Sequence, residues 1–91
     1  MSTPPRKVEI YTTIFCPFCI RAKQLLDSKQ AIYEETDVTG RLSLRKAMIE
    51  RAGGRTSVPQ IFIDEQHIGG CDELLALELS GQLDSLLQVA C

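Results

Sequence analysis

Two of the four cysteines in this chain of 91 residues form the motif Cys16-Pro17-Phe18-Cys19. The motif lies at a predicted helix start, where unpaired N–H groups and the helix dipole favour a thiolate over a thiol at Cys16. A thiolate is the nucleophile of disulfide exchange, so we expect an exposed Cys16 to attack a disulfide sulfur. Cys19 lies on the same helical face and can attack the resulting mixed disulfide. The spacing therefore predicts Cys16 as nucleophile and Cys19 as resolving thiol.

A structural zinc site is an alternative for a C-x-x-C pair, and it needs four ligands. His67 and Cys71 are the candidates for the other two, but their spacing spans a predicted hairpin and helix start, and no second C-x-x-C exists. We therefore expect no metal. Cys71 is interpreted as a small residue at a crowded helix start, and Cys91 as a free terminal thiol.

The composition is typical of one globular domain. Apolar residues make up 44% of the chain and charged residues 24%. Ten Lys and Arg against twelve Asp and Glu give a net charge of −2, which argues against a nucleic-acid binder. No apolar run reaches the roughly 18 residues of a membrane span, and the N-terminus lacks the apolar core of a secretory signal. We expect a single domain over residues 1–91 with a flexible N-terminus at 1–6, no membrane contact and a cytoplasmic location.

Hydrophobic patterning predicts the strands that must position the cysteines. Alternating or β-branched residues predict strands at 8–12, 31–38 and 58–63. Asp64–His67 is predicted to turn the chain into a short antiparallel strand at Ile68.

Apolar residues at helical spacing predict the helices. The first helix runs to about Lys29, the second ends at Gly53-Gly54, and two more cover about 71–79 and 83–89. The predicted buried stripes are Phe18, Ala22, Leu25 and Leu26 in the first helix and Leu44, Ala47, Met48 and Ala52 in the second.

The predicted order of elements is β-α-β-α-β-β-α-α. Strands separated by helices are expected to become parallel neighbours through right-handed crossovers, and the hairpin adds an antiparallel pair. An α/β fold with a four-stranded mixed sheet flanked by helices is the expected architecture.

A second constellation, Ser57-Val58-Pro59, precedes the clearest strand. A central strand does not tolerate proline, and either a trans proline at the first strand residue or a cis Val58–Pro59 bond accounts for it. A cis bond would turn the N–H and C=O of Val58 outward, where they could pair with an extended peptide.

The third segment is Gly69-Gly70-Cys71-Asp72. Its glycines allow a ligand to approach the backbone closely, and the following helix start offers N–H groups to an anion. Asp72 either takes a cationic amino group or only favours the helix N-terminus electrostatically. An amino-acid head group carries both charges and would suit this segment.

Together these segments resemble the glutaredoxins, specifically the small dithiol class of bacteria (type-3-like), from Val8 to about Leu87. The resemblance implies a thioredoxin fold. The matching residues are Tyr11-Thr12-Thr13 with Cys16-Pro17-Phe18-Cys19, Arg55-Thr56-Ser57-Val58-Pro59-Gln60-Ile61-Phe62-Ile63 and His67-Ile68-Gly69-Gly70-Cys71-Asp72.

The resemblance also implies a glutathione site. Val58, before the family's cis-proline, would pair through its backbone with the cysteinyl unit, and Asp72 would take the amino group of the γ-glutamyl end. Arg45 is the candidate for the glycyl carboxylate, followed by Lys46. The expected glutathione contacts are Thr13, Phe18, Arg45, Ser57, Val58, Pro59, Gly70, Cys71 and Asp72.

The sequence departs from the common family pattern at three of these positions. Phe18 replaces the usual Tyr between the cysteines, and Ser57 stands where Thr is usual. Thr13 occupies a position where many members carry a Lys that favours the Cys16 thiolate. We therefore expect the helix terminus to supply more of that effect, with Lys23 as the alternative cation.

The function implied by the resemblance is glutathione-dependent reduction of protein disulfides and of protein–glutathione mixed disulfides. Glutathione would be the reducing cosubstrate, regenerated by glutathione reductase, and no cofactor would be tightly bound. A ribonucleotide reductase is a client by family analogy, and nothing in the pattern demands more than a monomer.

Two other functions compete with this one. Direct reduction by thioredoxin reductase would leave the Gly69–Asp72 segment without a use. The second competing function is an iron–sulfur cluster carrier, in which a homodimer bridges the cluster through two Cys16 thiolates and two glutathiones. Proteins that do this commonly have Gly or Ser where this chain has Pro17.

Overall fold

A computed structural model describes residues 6–87 of the chain. The predicted order of elements is confirmed, while the end of the last predicted helix, Cys91 and nearly all of the expected N-terminal segment lie outside the described residues. None of the helices in the described range is long and apolar enough to cross a membrane. The elements are β1 (Val8–Thr12), α1 (Pro17–Ser28), β2 (Tyr33–Asp37), α2 (Leu42–Arg51), β3 (Gln60–Ile63), β4 (Gln66–Gly69), α3 (Cys71–Leu79) and α4 (Leu83–Leu87).

The four strands form one mixed sheet in the order β2-β1-β3-β4. β1 pairs with β2 in parallel, and β3 pairs antiparallel with both β1 and β4. The predicted parallel pairing is therefore confirmed for β1 and β2 but wrong for β2 and β3. An irregular segment that begins with Gly53 and Gly54, at φ +65° and +98°, separates α2 from β3 and redirects the chain to the other side of β1.

The main core lies between one face of the sheet and the helices α1, α3 and α4. Alternation along the strands sends one set of apolar side chains to this face. The other face carries Phe62, whose ring meets Tyr11 edge-on at 5.8 Å and lies 4.0 Å below the guanidinium of Arg51 from α2. The buried residues of the main core are Val8, Ile10, Ala22, Leu26, Ile61, Ile63, Cys71, Leu74, Leu83 and Leu87.

Two details of the predicted helix stripes are wrong. Phe18 is 56% exposed, and Cys19 takes the inward position ahead of Ala22 and Leu26. Positions 18 and 19 both lie within one helical turn of Ala22, and the buried face follows Cys19, Ala22 and Leu26. In α2, Met48 is buried whereas Ala47 is exposed.

The predicted hairpin is confirmed, but its turn is shorter than expected. Asp64 and Glu65 alone make the turn, both at positive φ (+53° and +69°), which is the backbone shape of a two-residue hairpin connection. His67 consequently belongs to β4 and pairs with Phe62 across the sheet, rather than to the turn.

Candidate active site

Cys16 occupies the N-cap position of α1, directly before Pro17. Its Sγ accepts a hydrogen bond from the backbone N–H of Cys19 at 3.2 Å, and its carbonyl accepts from the N–H of Ile20 at 3.1 Å. The sulfur therefore takes the place of the capping oxygen that usually satisfies a first-turn N–H. A negative charge on a partly exposed sulfur is favoured at this position because the helix N-terminus carries partial positive charge.

Cys19 has the opposite environment. Only 1% of it is exposed, and burial together with the hydrogen bond to Cys16 raises the pKa of its thiol to about 12. A backbone hydrogen bond from Thr13 and the positive charge of Lys23 act against that rise. At neutral pH the Cys19 thiol is therefore protonated.

A groove of about 170 Å³ runs beside Cys16. Cys16 is not among the described residues that line it, but Cys16 Sγ lies 3.9 Å from the carbonyl oxygen of Val58, which does. The Val58–Pro59 bond is cis, as the resemblance implies. The residues that line the groove are Phe18, Arg55, Ser57, Val58, Pro59, Gly70, Cys71, Asp72 and Glu73.

The first residues of α3 also line the groove. Glu73 accepts a hydrogen bond from the N–H of Gly70 at 2.7 Å and pairs with Arg55 at 2.8 Å, and these two partners hold the pKa of its carboxyl below the usual value. Asp72 is exposed one residue earlier on α3. The groove lining thus includes a helix N-terminus, a guanidinium and an exposed carboxylate.

Arg55 and Glu73 were missed by the sequence analysis. Glu73 had a usable signal, because a Glu three residues after a helix N-cap often reaches back to the N-cap N–H. Arg55 was named only as part of the matching segment before β3 and was given no role, because its contact with Glu73 forms only in the folded chain.

Most of the predicted glutathione contacts converge on this groove. Thr13 and Arg45 are not among the described residues that line it: Thr13 meets the thiol of Cys19, and Arg45 donates to the carbonyl of Thr56 at 3.0 Å. Their roles stay predictions. The predicted contacts that line the groove are Phe18, Ser57, Val58, Pro59, Gly70, Cys71 and Asp72.

Cys71 lines the groove and also belongs to the main core. Only 4% of the residue is exposed, and burial raises the pKa of the thiol. This agrees with its interpretation as a small residue at a crowded helix start. Within residues 6–87, no three His, Cys, Asp or Glu side chains are grouped to hold a metal ion.

Comparison with known proteins identifies the class to which this fold and site belong. The family model described as Glutaredoxin matches residues 8–68. The chain is 57% identical to glutaredoxin 3 of Escherichia coli (strain K12) over 81 residues, which are 89% of this chain and 96% of that protein.

Solved structures agree with the sequence match. The solution structure of a glutaredoxin from Brucella melitensis superposes with a TM-score of 0.83 at 49% identity, covering 96% of this chain and 94% of that one. The crystal structure of a buckwheat glutaredoxin–glutathione complex gives a TM-score of 0.83 at 27% identity, covering 91% of this chain and 77% of that one.

Fold and site together define a thioredoxin-like protein with a C-x-x-C dithiol at the start of its first helix. Within that class, the chain belongs to the glutaredoxin family. It is a dithiol glutaredoxin, a glutathione-dependent thiol–disulfide oxidoreductase, as the sequence analysis predicted.

Proposed function

We propose that Cys16 is the nucleophile, that Cys19 is the resolving thiol, and that the groove beside them binds glutathione. The observation that carries this proposal is the 3.9 Å contact of Cys16 Sγ with the carbonyl oxygen of Val58, because Val58 lines a groove that the first residues of α3 also line. The glutathione in the buckwheat glutaredoxin complex supports the choice of ligand.

The groove offers complementary groups along the length of an extended tripeptide. The backbone of Val58 pairs with the cysteinyl unit, which brings the glutathione sulfur beside Cys16. At the γ-glutamyl end, the N-terminus of α3 and Arg55 attract the carboxylate while Asp72 attracts the amino group. Arg45 donates a hydrogen bond to the carbonyl of Thr56, the residue before Ser57. It is the candidate to bind the glycyl carboxylate.

Reduction of a protein–glutathione disulfide uses Cys16 alone. The Cys16 thiolate attacks the glutathione sulfur, the S–S bond breaks, and the protein thiolate leaves and takes a proton from water. A second glutathione thiolate then attacks the glutathione sulfur bound to Cys16. Oxidised glutathione leaves, and the Cys16 thiolate is restored.

Reduction of a protein disulfide needs both cysteines. Cys16 attacks one client sulfur, and the other client sulfur leaves as a thiolate. Cys19 then loses its proton and attacks Cys16 Sγ, which releases the client as a dithiol and forms the Cys16–Cys19 disulfide. Two glutathiones reduce that disulfide and leave as oxidised glutathione.

The timing of the Cys19 step follows from its surroundings. Part of the rise in the pKa of Cys19 comes from the hydrogen bond and the charge of Cys16. Once Cys16 is held in a mixed disulfide it carries no charge, so this part disappears and the pKa of Cys19 falls. Burial, the largest cause of the rise, remains, so Cys19 loses its proton more easily in the mixed disulfide than in the free dithiol.

The proposal extends to partners and location. The clients are disulfide-bonded or glutathionylated proteins, among which a ribonucleotide reductase is a candidate by family analogy, and glutathione reductase regenerates the cosubstrate. We place the protein in the cytoplasm as a monomer with no tightly bound cofactor, because glutathione-driven reduction needs a reducing glutathione pool.

Turnover of a small glutathione mixed disulfide tests the proposal, with glutathione, glutathione reductase and NADPH as the electron source. A parallel assay replaces these with thioredoxin reductase and NADPH. Rapid turnover with glutathione alone is the expected result. Turnover only with thioredoxin reductase would contradict the proposed glutathione site. No turnover in either assay, together with a visible absorption band after anaerobic purification, would favour the iron–sulfur carrier.

A further inference from the structure

Gln60 is a fully buried polar residue behind the groove, at the start of β3. Both the oxygen and the nitrogen of its side-chain amide make hydrogen bonds. Oε1 lies 2.7 Å from Nε2 of His67, and Nε2 donates to the carbonyl oxygen of Ser57 at 2.8 Å and lies 3.3 Å from the Ser57 hydroxyl. The amide therefore connects β4 to the segment that carries Val58 and Pro59.

The direction of this hydrogen-bond chain is determined at its Ser57 end. A carbonyl oxygen only accepts, so the NH2 group of Gln60 must face Ser57 and its oxygen must face His67. The Nε2 atom of His67 must then carry a hydrogen. Since protonation of the ring leaves that hydrogen in place, the chain is intact in both charge states of His67.

His67 is itself held in position. Its ring lies 5.0 Å from the ring of Phe62 in a tilted stack. Burial and the charge of Arg55 lower the pKa of His67, while Glu73 acts in the opposite direction. The ring is therefore neutral at pH 7, and the neutral form present is the one protonated at Nε2.

We propose that Gln60 is a positioning residue for glutathione, and that the Nε2–H of His67 orients its amide. Through the Ser57 carbonyl, Gln60 fixes the segment that presents the Val58 backbone to the cysteinyl unit of glutathione. The backbone of Gly70 also packs closely on this segment, since a Cβ on Gly70 would lie 3.2 Å from the carbonyl oxygen of Pro59. This inference rests on the glutathione site proposed above.

The first test is Gln60→Met, with Gln66→Met as the matched control because Gln66 is exposed on β4. Loss of a buried hydrogen bond at a binding segment should raise the KM for a glutathione mixed disulfide about three- to tenfold, with kcat within about twofold. Gln66→Met should change neither constant. An unchanged KM in a folded Gln60→Met protein would overturn the proposal.

Gln60→Glu gives a pH signature that a purely structural role would not produce. At about pH 8 the carboxylate of Glu at position 60 faces the Ser57 carbonyl and repels it. The ratio of the variant's KM to the wild-type KM should therefore be high at this pH. When the carboxyl is protonated at lower pH it donates to Ser57 and still accepts from His67, so the KM ratio should fall toward one. A KM ratio that does not change with pH would contradict the inference.

Two further measurements keep the inference testable if the Gln60 variants fail to fold. Nitrogen NMR of wild-type His67 should show the tautomer protonated at Nε2, and the other tautomer would overturn the proposed direction. His67→Phe retains a ring on Phe62 but no donor, and it should raise KM in the manner of Gln60→Met. Absence of glutathione turnover in the wild-type protein would instead refute the proposed function itself.

Discussion

The backbone N–H of Cys19 donates a hydrogen bond to Sγ of Cys16 at 3.2 Å, while the Cys19 side chain is only 1% exposed. The residue that carries the buried thiol thus stabilises a negative charge on the partly exposed one. Two cysteines of one motif acquire opposite properties because α1 begins between them. This asymmetry is the physical basis for assigning them different roles.

Serine substitutions of the two cysteines should separate the two reactions. Cys16→Ser should abolish both, because Cys19 and Cys71, the other cysteines among the described residues, are buried. Cys19→Ser should leave deglutathionylation within about twofold of wild type and slow the reduction of a protein disulfide at least about tenfold. Steady-state rates on a glutathionylated peptide and on a disulfide-bonded protein measure both effects.

The matched control for these variants is Cys91→Ser, which should leave both reactions unchanged. Turnover by Cys16→Ser would refute its role as nucleophile. Equal losses of both reactions in Cys19→Ser would show that Cys19 is not confined to the resolving step.

Lys23 should assist the resolving step without affecting the monothiol reaction. It lies one helical turn after Cys19, its charge lowers the pKa of that thiol, and Glu35 holds its ammonium group at 3.0 Å. Lys23→Gln should therefore raise the Cys19 pKa and slow protein disulfide reduction about two- to fivefold near pH 7. Deglutathionylation by the same variant is the internal control.

Lys23→Arg retains the positive charge and should restore the rate of protein disulfide reduction. The pH profile of this reaction should shift to higher pH in Lys23→Gln and return in Lys23→Arg. A parallel loss of deglutathionylation in Lys23→Gln would show that Lys23 acts on Cys16 instead, as the alternative from the sequence analysis holds.

Cys19 should also contribute a pH-dependent term to the stability of the reduced protein. Its pKa is about 12 in the folded chain against an ordinary value of 9.0. Between these values the unfolded chain loses the Cys19 proton and the folded chain keeps it, so this contribution is present below the ordinary pKa and is lost as pH rises. No comparable loss is expected for Cys19→Ser.

Denaturant unfolding of both proteins under reducing conditions, from about pH 8.5 to about pH 10.5, measures this effect. The difference in unfolding free energy between wild type and Cys19→Ser should shift in favour of the variant as pH rises. A constant difference would mean that the Cys19 thiol ionises in the folded protein as easily as in the unfolded chain.

Local sequence patterns were sufficient to predict the elements and the motifs. The C-x-x-C before a helix, the hairpin and the order of strands and helices each depend on residues close in the chain, and the structure has them. The exposure of Phe18 was not predictable from periodicity alone. Residues 18 and 19 both fit a stripe with Ala22, and only the packing of α1 in the folded chain shows that Cys19 is the buried one.

Features that depend on distant pairing were beyond the sequence. The antiparallel placement of β3 beside β1 depends on how residues 53–59 redirect the chain, and local patterns do not specify that path. Arg55 and Glu73 are 18 positions apart and meet only because the irregular segment lies against the start of α3. The same holds for the contact of Gln60 with Ser57 and His67.

Asp72 should contribute to glutathione binding rather than to the chemical step. It is exposed and lines the groove, where it is proposed to bind the γ-glutamyl amino group. Asp72→Asn should raise the KM for a glutathione mixed disulfide about three- to tenfold and leave kcat within about twofold. Glu50→Gln, which removes an exposed charge from α2, is the control. An unchanged KM would show that Asp72 acts only as a charge at the N-terminus of α3.

Gly69→Ala should damage both stability and binding, because Gly69 lies against the Arg55–Glu73 pair. A Cβ on Gly69 would lie 2.5 Å from Oε1 of Glu73, and the backbone there has φ +121°. Gly54→Ala is the matched control, since φ is +98° at that glycine and a Cβ there would have no atom of the described residues within 4 Å.

The left-handed backbone should cost both variants about 1 kcal/mol of unfolding free energy. Gly69→Ala should lose at least about 1 kcal/mol more and also raise the KM for the mixed disulfide, because the displaced Glu73 no longer holds the N–H of Gly70. Equal stabilities and equal KM values in the two variants would show that the Glu73 side chain moves aside without consequence for the groove.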